Sequence, residues 1–106
     1  MIKIVFTKRD GFVAKVEVSG HSGYAAEGSD IVCSAVSSVL WAATNGLTSV
    51  LAIPLDICEK DGYVSYEIPM LDYDTRAKAD VIIESMKLFF LELKAKYAEF
   101  VEVTEV

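Results

Sequence analysis

From Ile31 to Leu55 the chain carries no charged side chain. A stretch of that length belongs either in a bilayer or in a protein core, and the choice constrains everything around it. Ser34, Ser37, Ser38, Thr44, Asn45, Thr48 and Ser49 interrupt its apolar character, and Gly46 and Pro54 break it. Its flanks are Asp30 and Asp56, where a spanning helix favours Lys or Arg on one side. The membrane is therefore rejected in favour of a buried helix followed by a buried strand. The helix is expected over Ile31 to Asn45, with Asp30 as its N-cap and Gly46 as its C-terminal stop.

On both sides of this core stretch the sequence alternates. Ile2, Ile4 and Phe6 form one strand face; Phe12, Ala14, Val16 and Val18 form a second. Asp10-Gly11 between them signals a tight hairpin, because glycine accepts the positive φ that such turns need. Leu51, Ile53, Leu55 and Ile57 form a third face, Asp61-Gly62 a second turn, and Val64, Tyr66 and Ile68 a fourth. A second helix is expected from Asp74 or Thr75 to about Ala98. Ile82, Met86, Phe89, Leu93 and Tyr97 share one of its faces, and Lys94 and Lys96 complement its C-terminal dipole. The closing FVEVTEV reads as a last strand. The order ββαββα with a final β predicts an α+β fold: a two-layer sandwich with a largely antiparallel sheet of four or five strands and two helices. Residues 1–106 are expected to form one domain.

Charge and composition narrow the function. The net charge is −6. Nucleic-acid binding rests on Lys and Arg neutralising phosphates, so a direct nucleic-acid partner is excluded and a basic protein partner fits. Hydrophobic residues make up 53% of the chain, and the mean hydropathy is +0.37. That apolar excess predicts a self-association surface, hence a homodimer. Lys3, Lys8 and Arg9 surround a strand-like run rather than a signal peptide. Two cysteines make no disulfide framework, so both thiols are expected free in a reducing cytoplasm. One His and two Cys are too few for the usual tetrahedral zinc site, and no metal is expected.

The only histidine, His21, and one of the two cysteines, Cys33, lie close in sequence, with glycines at 20, 23 and 28. His21 follows the second strand, and Cys33 is the third residue of the first helix. A thiolate is a nucleophile, and a helix start offers unpaired N–H groups and a favourable dipole. Glu27 and Asp30 oppose that charge, so the direction of any shift in the thiol stays open. The helix-start amides are candidates to receive an oxyanion. Together these are the parts for acyl transfer by cysteine with histidine as proton carrier. Plainer roles compete: Cys33 as a packing residue, His21 as an ordinary loop residue, Asp30 as a cap and Ser37 as helix packing. Glu27 and Asp30 are both candidates to orient His21. Cys58 reads as structural.

The stretch GHSGYAAEGSDIVCSAVS resembles the signature of the ribosomal-processing cysteine protease family called Prp. The matching positions are Gly20-His21, Gly28, Asp30, Val32-Cys33 and Ser37; Ser22 and Ser34 stand where many members carry alanine. The resemblance implies a cytoplasmic, homodimeric endopeptidase that removes an N-terminal extension from the large-subunit ribosomal protein numbered twenty-seven. It implies Cys33 as nucleophile and His21 as general base and acid, with Asp30, Ser37, Gly20 and Gly28 supporting the site or the substrate, and no cofactor. The alternative is a non-catalytic dimeric module for ribosome assembly or protein binding. A redox-sensing thiol is a third option, weakened because no resolving cysteine is near Cys33 in sequence.

Overall fold

A computed structural model describes residues 1–26 and 30–106. β1 (Ile2–Arg9) and β2 (Phe12–Ser19) form the first hairpin. Its turn residues Asp10 and Gly11 have φ of 56° and 83°, the double positive φ of the tightest hairpin turns. α1 (Ile31–Asn45) follows, then β3 (Asp56–Lys60), β4 (Tyr63–Glu67), α2 (Tyr73–Lys96) and β5 (Val101–Glu105). Among the described residues the sheet has five strands in the order β3-β4-β2-β1-β5. All neighbours are antiparallel except β1 and β5. β2 and β3 consequently run the same way, as do β4 and β5, and each pair is bridged by a helix, the long connection that same-direction strands need.

Both helices cover one face of the sheet. Ile2, Ile4, Phe6, Val16 and Tyr66 point into the core, where they meet Val32, Val36 and Leu40 of α1 and Ile83, Met86 and Phe90 of α2. Phe6 and Phe90 stack with ring centroids 6.4 Å apart. The opposite face is polar, with Lys3, Lys15, Glu17, Cys58 and Glu102 along it. The uncharged stretch Ile31–Val50 is long and apolar enough to cross a bilayer by length and composition. Here Val32, Val36, Leu40, Ala43 and Leu47 bury its inner side in the core.

Several local expectations are corrected. Phe12 is exposed and Val13 buried, the reverse of the expected alternation. The β1–β2 register shifts between Thr7 and Lys8, with Thr7 opposite Lys15 and Lys8 opposite Val13. Ala14 is the extra residue, and such a bulge swaps the faces beyond it. Gly46 does not stop α1: it has φ −59° and begins a π-helical turn over Gly46–Val50, closed by Leu51 N–H on Gly46 O at 2.9 Å. The expected strand at Leu51, Ile53 and Leu55 is displaced by this turn, and β3 begins only at Asp56. α2 starts earlier than expected, because Asp72 caps it through Thr75 N–H. Its buried stripe is Ala79, Ile83, Met86, Phe90 and Leu93. Ile82, Phe89 and Tyr97 lie on the flank of that stripe, only partly buried.

Candidate active site

The site lies where β2 ends and α1 begins. Gly20 closes β2 with φ 89°, and its N–H donates to Gly62 O in the β3–β4 turn at 2.8 Å. A Cβ at Gly20 would stand 2.4 Å from Met1 O. Only glycine fits both the backbone angle and this close approach. His21 comes next and is exposed. Its ring lies over the β3–β4 turn, with Nε2 3.1 Å from where a Cβ on Gly62 would stand. Two glycines therefore prepare the histidine's place, one turning the backbone and the other leaving room for the ring.

Cys33 is half-buried in the first turn of α1. Its Sγ accepts a hydrogen bond from Ser22 N–H at 3.4 Å. Ser22 is joined to His21 by a peptide bond, so the histidine's own backbone is brought to the thiol. Asp30 is the N-cap that was expected: Oδ1 accepts from Val32 N–H and from Cys33 N–H, each at 3.0 Å. Oδ2 accepts from the Ser22 hydroxyl. That hydroxyl, together with the Cys33 N–H, holds the Asp30 carboxyl down to about 2, because hydrogen bonds to the charged form favour it. Both oxygens of Asp30 are engaged by these donors. These bonds make Asp30 the helix cap and tie it to Ser22.

The helix-start amides, candidates to receive an oxyanion, are engaged with Asp30 in this structure. Val32 and Cys33 donate to the Asp30 side chain, and Ser34 N–H donates to Asp30 O at 3.1 Å. These donors serve the cap. Ser37, one turn beyond Cys33, is exposed. Gly28 and Glu27 lie outside the described residues. Cys58 is exposed on β3, and both cysteines are free. Among the described residues no three His, Cys, Asp or Glu side chains are grouped as a metal site. A groove of about 800 Å³ lined by Phe12, Pro54, Ile68, Met70 and Tyr73 shares no residue with this region; it lies at the other end of β2 and β4.

Ser22 is the residue that sequence reasoning passed over. It is 2% exposed, despite its position between His21 and Gly23. The available signal was local: its Oγ accepts from Tyr24 N–H two residues on, at 3.1 Å, a turn habit of serine.

The family model described as Cysteine protease Prp matches residues 1–102. The chain belongs to the Prp cysteine protease family. The Prp of Bacillus subtilis (strain 168), a ribosomal processing cysteine protease, is 33% identical over 98 residues, covering 90% of this chain and 88% of its own. The Prp of Staphylococcus aureus (strain Mu50 / ATCC 700699) is 28% identical over 100 residues, covering 93% of each. The crystal structure of S. aureus Prp with a covalently linked product peptide superposes with a TM-score of 0.90 at 26% identity, covering 100% of both chains. The same protease with a substrate peptide gives 0.84 at 25%, again covering 100% of both. A Streptococcus mutans protein gives 0.82 at 29%, over 100% of this chain and 94% of that one. Prp structures thus share the five-stranded sheet and two helices described above.

Proposed function

We propose that this chain is a cysteine endopeptidase that removes the N-terminal extension of the large-subunit ribosomal protein numbered twenty-seven. Cys33 is the nucleophile and His21 the proton carrier. His21 takes the thiol proton, and the sulfur attacks the scissile carbonyl carbon to give a tetrahedral intermediate. Collapse breaks the C–N bond as His21 returns the proton to the leaving amine. Water then adds to the thioester, giving up a proton to His21, and the carboxylic acid leaves with the thiol restored.

The observation that carries this reading is the Ser22 N–H bond to Cys33 Sγ, which sets the segment bearing the only imidazole on the thiol. The structure of S. aureus Prp in complex with a covalently linked product peptide supports a covalent route. The net charge of −6 suits a basic ribosomal-protein substrate. Exposed Ile31, Leu88 and Leu91 suit a homodimer, and free thiols suit a reducing cytoplasm. Asp30 holds the helix start, and exposed Ser37, one turn beyond Cys33, is assigned a supporting role at the site or on the substrate.

Incubation of the chain with the extended ribosomal protein, followed by mass measurement, is the test. Two fragments whose masses sum to the substrate plus water are expected. Cys33→Ala leaves the substrate whole while keeping its circular dichroism, and Cys58→Ser cuts at the normal rate. Full cleavage by Cys33→Ala ends the proposal. Stoichiometric binding with no cut product favours the non-catalytic module.

A further inference from the structure

Ser22 closes a ring of hydrogen bonds around the thiol. Its N–H reaches Cys33 Sγ at 3.4 Å, and its hydroxyl donates to Asp30 Oδ2. Asp30 Oδ1 then returns to Cys33 through the backbone N–H at 3.0 Å. The ring joins the loop after β2 to the first turn of α1. Beyond it the loop is fixed again, because Tyr24 sits edge-on against Tyr97 and Phe100, with centroids 5.6 and 5.3 Å away. Between the two anchors Gly23 takes φ 73° with nothing near its absent Cβ.

We propose that Ser22 is a positioning residue: its hydroxyl tie to Asp30 holds its own N–H at the Cys33 sulfur, where it then meets the oxyanion. This rests on the cysteine-protease reading above. The amides of Val32, Cys33 and Ser34 serve the helix cap, and among the described residues the Ser22 N–H is the backbone donor placed on the sulfur. As the thiolate attacks, negative charge passes from sulfur to the carbonyl oxygen one bond away from the new S–C link. A donor already at the sulfur needs only a small shift to reach about 2.7–3.1 Å from that oxygen, the distance at which such donors act. The hydroxyl's part is to keep the peptide from drifting. Alanine at this position retains the N–H and lacks the tie, so the effect falls on geometry and not on the presence of the donor.

The test uses the Cys58→Ser background, so that one thiol remains. Ser22→Ala is expected to lower kcat for the extended ribosomal protein about tenfold, with KM within about twofold, since a misplaced catalytic group costs rate in the transition state. Ser22→Thr, which keeps a hydroxyl, recovers most of that loss. Asp30→Asn keeps a capping oxygen and weakens the tie; it loses a similar factor, and the double variant falls no further. The iodoacetamide alkylation rate of Cys33, followed by mass, changes at least threefold in Ser22→Ala and returns in Ser22→Thr. Unchanged kcat together with an unchanged alkylation rate overturns the proposal, as does a loss confined to KM. Should the parent protein not cut this substrate, the proposed function fails while the alkylation comparison still decides the role of Ser22.

Discussion

Alanine at Gly20 tests how the histidine's segment is held. Two costs are separable. Gly20 has φ 89°, and holding a non-glycine L-residue in that region costs about 1–2 kcal/mol. The new Cβ would also lie 2.4 Å from Met1 O, a backbone atom that cannot swing away as a side chain would. Overpacking of this kind costs about 1–3 kcal/mol, so Gly20→Ala should lose about 2–5 kcal/mol in total. Gly11→Ala is the control: φ is 83° there, with nothing within 4 Å of its absent Cβ. It should lose only the first part. Urea unfolding with a slope of about 1–3 kcal/mol per molar then puts the Gly20→Ala midpoint lower than that of Gly11→Ala, by about 1 M. Equal midpoints would refute the close approach of Met1 to the end of β2, and with it the proposed seating of His21.

Further outcomes follow from the same geometry. Gly62→Ala places a methyl 3.1 Å from His21 Nε2; because the ring is exposed it moves aside, so stability falls by only about 1–2 kcal/mol while kcat falls about tenfold or more, and unchanged turnover would show that the ring's seat on Gly62 is not its working position. The Tyr66 hydroxyl is buried beside Thr44 without a well-formed hydrogen bond among the described residues, and burial pushes its phenol up against the smaller opposing effect of Thr44, so Tyr66→Phe should leave stability unchanged or raise it by up to about 1 kcal/mol; a clear drop in thermal midpoint would show that the hydroxyl is bonded to Thr44. Asp30 is held down to about 2 by Ser22 and Cys33, Asp72 is lowered by Thr75, and Glu105 is lowered by Lys87 and Lys8. Folded values below unfolded ones mean stability that is complete above the unfolded values, 3.8 for the two aspartates and 4.5 for Glu105, and lost as pH falls toward 2. Unfolding midpoints measured from pH 6 to pH 2 should fall in that window, less steeply in Asp30→Asn.

The sequence showed the layers and the strand order of each hairpin because two periodicities and two Asp-Gly turns encode them. It did not show the bulge at Ala14: a bulge adds a residue without disturbing composition, so Phe12 and Val13 exchange faces with no warning. The π-helical turn was hidden for a related reason. Gly46 is a good helix stop in isolation, but here Leu47 is fully buried and carries the helix onward into the core. The stripe of α2 was misjudged by one position because Ile82 and Phe89 are as apolar as Ile83 and Phe90; the packing against Phe6 chooses between them. At the site, Asp30 was legible as a cap and Cys33 as a helix-start thiol. Ser22 was not, since its importance comes from a partner eight residues away and from burial that a glycine-flanked loop does not advertise.

The central claim is that the nucleophile is the Cys33 thiol, served by His21. A chloromethyl ketone carrying the peptide sequence that precedes the cut tests it directly, with the adduct located by mass spectrometry after proteolysis. One adduct per chain on Cys33, formed in step with loss of cleavage and strongly slowed in His21→Ala, is the predicted result. Inactivation with Cys33 unmodified, or labelling of Cys58 at an equal rate, would contradict it.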